Sequence, residues 1–181
     1  TRSMSPTKAE LTTRNICRAF KDSSVKQGLN SRDVLFVSRG DSTLRGHGVL
    51  EPEVINQELG PFDATFHVPA FLEGGRITRN GVHLLNNSPV HLTDFALDQM
   101  FGYSTSFLPD WLEEKSNGRI SANSVFLLRS QQLTSAINSK RGMENLYSFL
   151  EGLSNNALVI VDAEVFSQLA IFAKLIIKLM G

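Results

Sequence analysis

Cysteine is nearly absent from this chain of 181 residues: Cys17 stands alone. A single thiol excludes an internal disulfide and every cysteine-based zinc pattern, and it fits a reducing, cytoplasmic setting. Cys17 lies beside Ile16 and near Phe20 in a helix-like pattern, so it reads as a buried structural thiol rather than a nucleophile. His47, His67, His83 and His91 lack metal-ligand spacing, and no metal is expected. Charge of one sign is not in excess, because 18 Lys and Arg balance 18 Asp and Glu. That neutrality argues against nucleic acid and a membrane surface as partners, while leaving room for a local basic site. Long hydrophobic runs are missing. The most apolar window, Leu169 to Met180, is shorter than the ~20 residues of a membrane span, and Lys174 and Lys178 interrupt it. The opening residues carry no secretory-signal pattern. Internal repeats and low-complexity tracts are not found.

What is present is a 41% apolar content, enough for a packed core. Ser5 and Pro6 read as the cap and first position of a helix reaching Lys21, followed by a polar loop over residues 21–33. Val34 to Ser38 is a continuous apolar run of strand length. Leu50 to Gly60 reads as a helix, with Pro52, Glu51 and Glu53 in its first turn. Ala64 to Val68 reads as a strand. Asn80-Gly81 between β-prone runs marks a hairpin over Arg76 to Leu85. Leu108 to Lys115 reads as a short helix, Val125 to Leu128 as a strand and Gln131 to Leu150 as one helix. Ala157 to Asp162 is the clearest strand. The final helix, Glu164 to Met180, places Val165, Leu169, Phe172 or Ala173, Ile176 and Met180 on one stripe. Alternating strands and helices predict an α/β fold: a mostly parallel sheet flanked by helices in three Rossmann-like layers, with a small β-hairpin insertion.

Arg39 to His47 (RGDSTLRGH) would then leave the carboxyl end of a strand, where open α/β sheets bind ligands. Arg39 and Arg45 can grip a carboxylate or phosphate, and Asp41, Ser42 and Thr43 can exchange hydrogen bonds with hydroxyls. A second loop, Glu73 to Thr78, adds Arg76 and Thr78 behind a pair of glycines. Together they form a candidate site for a small, anionic, hydroxylated molecule. Solvated turn chemistry is the plainer reading of each loop alone. The pattern G-x-x-x-x-G-K-[ST] of a nucleotide-binding phosphate loop does not occur. Asp162 either lines the same sheet edge or caps the last helix, the commoner task.

The stretches SRGDSTLRGH, PAFLEGGRITRNGVHLL and VIVDA resemble the N-terminal domain of the four-carbon acid sugar kinases, a family also carried under the older name Hrp-dependent type III effector. The opening TRSMSP resembles the loop after that family's second strand. The resemblance implies that Arg39, Asp41, Ser42, Thr43, Arg45, Arg76 and Thr78 hold a threonate- or erythronate-type acid. It also implies that ATP with Mg2+ binds a C-terminal nucleotide-binding domain of the same parent chain, with no cofactor on this part. On that reading residues 1–181 are the sugar-acid-binding domain, lacking the family's first strand with its Asp-Asp-Leu-Thr-Gly-Ala-like motif and inactive as a kinase alone. A homo-oligomer is left open. The rivals are a stand-alone hydroxy-acid sensor and a protein-interaction or effector role. Arg45→Ala is expected to weaken sugar-acid binding by roughly 2–4 kcal/mol; unchanged affinity in titration calorimetry would remove Arg45 from the site.

Overall fold

The computed structural model describes residues 3–29 and 34–180. Helix α1 covers Pro6–Gln27, with the Ser5 hydroxyl accepting from the Lys8 N–H at 3.4 Å and left-handed Gly28 closing it. It runs past Lys21 because nothing between Asp22 and Gln27 breaks a helix; the first residue suited to a C-terminal cap is Gly28. Cys17 is buried in this helix. Residues 30–33 of the expected loop lie outside the described residues, as do Thr1, Arg2 and Gly181.

Val34–Ser38, expected as a strand, pairs with no segment among the described residues. Phe36 packs edge-on against Phe20 at 5.0 Å and tilted against Phe62 at 5.8 Å, while Leu35 and Val37 remain exposed. An apolar run supplies side chains for a strand but not the neighbouring edge that its N–H and C=O groups require.

Helix α2 (Leu50–Leu59) leads to strand β1 (Ala64–His67). Strands β2 (Arg76–Arg79), β3 (Val82–Leu85) and β4 (Ser88–Pro89) form a small antiparallel sheet in the order β2-β3-β4. Asn80 and Gly81, with φ of 52° and 77°, make the β2–β3 turn, the left-handed pair that matches strand twist. Helix α3 (Leu108–Lys115) precedes β5 (Phe126–Leu128), helices α4 (Ser130–Asn138) and α5 (Lys140–Glu151), β6 (Ala157–Val161) and α6 (Phe166–Met180).

The main sheet is parallel, in the order β1-β6-β5. Its central strand alternates between two cores. Val159 and Val161 join Leu128, Leu133, Leu146 and Phe172 under α4, α5 and α6. Ile160 faces the other way, toward Leu44, Tyr103, Trp111 and Leu112. This is the three-layer α/β architecture with a hairpin insertion that the sequence predicts.

Two helical expectations change. The stretch Gln131 to Leu150 breaks at Ser139, which is extended (φ −151°, ψ 147°) and accepts from the Gly142 N–H at 3.0 Å. The two helices cross so closely that a Cβ on Gly142 would lie 2.2 Å from the Ser135 carbonyl oxygen. On α6 the buried stripe is Gln168, Ile171, Phe172 and Leu175; Phe172 is on it as expected, while Val165 and Met180 are exposed. Nearly every residue there is apolar, so periodicity alone could not choose a face. Leu133, fully buried between α4 and the sheet, is the test of this core. Leu133→Ala should cost about 2–5 kcal/mol in urea denaturation.

Candidate functional site

The carboxyl end of β6 organises the site. Past Val161 the chain continues to Ala163, which pairs antiparallel with Thr78 through two backbone hydrogen bonds of 3.0 Å each. This pairing docks the hairpin on the sheet. Between them Asp162, 1% exposed, accepts from the N–H groups of Asn80 at 2.8 Å, Gly81 at 2.9 Å and Ser130 at 3.2 Å. Burial pushes its carboxyl up from the ordinary carboxylate value, and the three N–H donors pull it back. Asp162 does not cap α6; that task falls to Gln168, whose side-chain oxygen accepts from the Glu164 N–H at 2.8 Å.

The hairpin in turn holds the Arg39–His47 loop. His83 of β3 is fully buried, and its Nε2–H donates to the Ser42 carbonyl at 2.7 Å. Burial lowers its pKa to about 4, so the ring is neutral, and Nδ1 is left to accept the Thr78 hydroxyl proton at 3.0 Å. Tyr103 donates to the Thr43 carbonyl at 2.7 Å, and burial pushes its phenol up to about 12. His47 packs edge-on against Phe101 and donates through Nε2 to the Met4 carbonyl at 3.0 Å, drawing the opening residues to this loop.

Within the loop, Asp41 Oδ1 accepts from the Thr43 backbone N–H at 2.9 Å and from its hydroxyl at 2.7 Å. Arg45 Nε donates to Asp41 Oδ2 at 3.1 Å and to Thr43 Oγ1 at 2.9 Å, and its Nη2 lies 3.0 Å from the same carboxylate oxygen. Asp98 stands 3.9 Å from Arg45 Nη1. The turn forces Leu44 to a φ of 64°, a conformation that costs a non-glycine residue energy; its buried side chain holds it there.

Arg76 arrives from the other direction. After β1 the chain makes a short 3-10 turn over Leu72–Gly74, and Phe71 and Arg76 bridge across it. The Arg76 guanidinium lies over Phe71 at 5.5 Å and over Phe95 at 5.9 Å. Arg45 lies over the same Phe95 ring at 4.8 Å. The two loops therefore converge on one aromatic side chain.

Of the seven candidates, six are assembled here. Arg45 and Arg76 flank Phe95. Asp41 and Thr43 brace Arg45, Thr78 orients His83, and the half-buried Ser42 makes no side-chain hydrogen bond among the described residues. Arg39 is exposed, and no hydrogen bond or ion pair ties it to the others among the described residues. Phe95, Asp98, His83 and Tyr103 were not among the candidates. Phe95 sits in a stretch without regular periodicity, where no local pattern marks it; His83 shows only as an inward position of the hairpin. Among the described residues no group of three His, Cys, Asp or Glu side chains could hold a metal ion, and no helix is long and apolar enough to cross a membrane.

Fold and geometry thus define a parallel-sheet α/β domain whose inserted hairpin and polar loop bring two arginines together over one aromatic ring. The chain belongs to the sugar-binding N-terminal domain family, whose model matches residues 1–180. It is 40% identical over 70 residues to D-erythronate kinase from Heliobacterium modesticaldum, a stretch that is 39% of this chain and 16% of that one. A domain of unknown function from Bordetella bronchiseptica, solved as a domain-swapped dimer with bound citrate, superposes with a TM-score of 0.68 at 22% identity, over 96% of this chain and 37% of that one. A Haemophilus influenzae protein gives a TM-score of 0.70 at 17% identity, over 97% and 39%. The chain therefore spans well under half the length of these relatives, and the two solved structures support the fold.

His83 makes the site sensitive to pH. Its folded-state pKa lies below the ordinary 6.5, so its stabilising contribution is complete above that value and is lost as pH falls toward 4. Protonation of this one group should remove about 2 kcal/mol of stability at pH 5. His67, also held near 4 by burial, should add to the loss. Denaturant titrations at pH 7 and 5 on wild type and His83→Gln isolate the His83 share as the difference in their pH dependence.

Proposed function

We propose that this domain binds a four-carbon sugar acid of the threonate or erythronate type, within a parent protein that phosphorylates it with ATP and Mg2+. The observation that carries this reading is the convergence of Arg45 and Arg76 on Phe95, with Arg45 on the loop that also carries Ser42. A guanidinium group matches a carboxylate, and a hydroxyl-bearing loop matches a short polyol. Family membership and the D-erythronate kinase relative support the same class of ligand. The citrate held by the Bordetella relative is itself a hydroxylated carboxylate.

In this reading Arg45, Arg76 and Ser42 meet the ligand, and Asp41, Thr43 and Thr78 set their positions. Arg39, exposed on the same loop, is the remaining candidate contact. The nucleotide, whose γ-phosphoryl group is the one transferred, belongs to a separate C-terminal domain of the parent. The residues here bind and orient the acceptor, one of the two substrates that phosphoryl transfer must position.

Titration calorimetry of this chain against D- and L-threonate and D- and L-erythronate should show saturable 1:1 binding to at least one of them and weaker binding to threitol and erythritol. ADP release by the full-length parent, supplied with ATP, Mg2+ and the same acid, should follow. Binding to none of the four acids rejects the reading.

A further inference from the structure

The two arginines of the pocket differ in one respect that decides how a ligand lies in it. Arg45 is already neutralised: the Asp41 carboxylate sits 3.0 Å from Nη2, and Asp98 approaches Nη1. A ligand carboxylate placed on Arg45 would meet both acidic groups at close range. Arg76 has no carboxylate partner among the described residues, and its Nε is buried without any hydrogen-bond acceptor. A buried, unpaired donor on a charged group is costly unless something completes it. The Arg76 guanidinium carbon lies 5.5 Å from the Phe71 ring centroid and 5.9 Å from that of Phe95, and neither ring offers an acceptor that would satisfy the N–H donors.

From this asymmetry, and resting on the sugar-acid reading above, we propose that the ligand binds in one orientation: its carboxylate on Arg76, its hydroxyl-bearing carbons directed toward Ser42 and the Asp41–Arg45 pair. Arg76 is then the residue that selects an acid over a neutral polyol. Arg45 meets the hydroxyl-bearing end of the ligand and braces the loop, so it acts on acid and polyol alike.

The two roles separate in paired variants of the whole chain, Arg76→Met and Arg45→Met, followed by calorimetry and thermal melting. Arg76→Met should lower affinity for the preferred sugar acid by ~30-fold or more, to the level of the matching polyol. Its melting temperature without ligand should stay the same or rise, because an unsatisfied buried donor has been removed. Arg45→Met should weaken acid and polyol by similar factors and lower the melting temperature by roughly 4 °C or more, since it removes the guanidinium that Asp41 and Thr43 share. The orientation is overturned if Arg76→Met melts as far below wild type as Arg45→Met, or if preference for the acid survives in Arg76→Met and vanishes in Arg45→Met. Should wild type bind no four-carbon acid, citrate titration distinguishes the failures. Citrate binding lost in Arg76→Met keeps Arg76 as an anion seat and rejects only the four-carbon reading, whereas no citrate binding rejects both.

Discussion

Asp162 is the contact on which the pocket hangs. A carboxylate at the end of the central strand is taken out of water and given three backbone N–H donors, two from the hairpin turn and one from the start of α4. Burial alone would make such a group expensive to keep charged; the fixed donors are what make the position tenable. The consequence is geometric. Strand, hairpin and helix are locked to one another at a single point, and the Thr78–Ala163 backbone pair next to it fixes the hairpin's direction. From there the order is passed on: Thr78 sets the His83 ring, His83 holds the Ser42 carbonyl, and the loop carrying Arg45 is held against the hairpin that follows Arg76. The polar loop is thus positioned by buried groups rather than by its own turn chemistry.

Placing two guanidinium groups on one aromatic ring has an electrostatic cost that the chain meets unequally. Arg45 is neutralised by Asp41, so it does not add a full charge to the pocket. Arg76 keeps its charge and relies on aromatic faces, which attract a cation without neutralising it. Preorganisation of this sort lowers the ordering that a small flexible ligand must impose on binding. It also explains why removing either arginine should differ in its effect on the unliganded protein, although both lie within 6 Å of the same ring centroid.

Much of this was legible in the sequence, for reasons that differ by element. The Asn80-Gly81 turn demands left-handed backbone, and the structure has it. The β6 run and helices α2 and α3 carry clear start and stop chemistry, and they fall where expected. Val34–Ser38 failed because strand formation requires a neighbour, which a local pattern does not contain. The α4–α5 break failed because Ser139 is neither Gly nor Pro; what ends α4 there is a tight crossing around Gly142, a tertiary fact. In the site, the charged and hydroxylated loop residues announced themselves by type and density. Phe95 did not, and Asp162 did so only as one of two readings. An aromatic residue in an irregular stretch has no signature, and an aspartate after a strand and before a helix reads first as a cap.

The titratable groups most perturbed around the pocket are bound up in structure rather than poised for reaction, and this bears on the division of labour. Strong pKa shifts often mark catalytic groups. Here His83 has both ring nitrogens engaged, one donating to a carbonyl and one accepting from Thr78, so taking a proton would break the contact that holds the loop. Tyr103 is pushed away from ionisation and donates to the Thr43 carbonyl. Asp162 has its oxygens filled by backbone donors. None of the three can accept a proton from a ligand hydroxyl without dismantling the pocket that would bind it. A surface so arranged is suited to holding a small ligand still, as the proposed binding role requires.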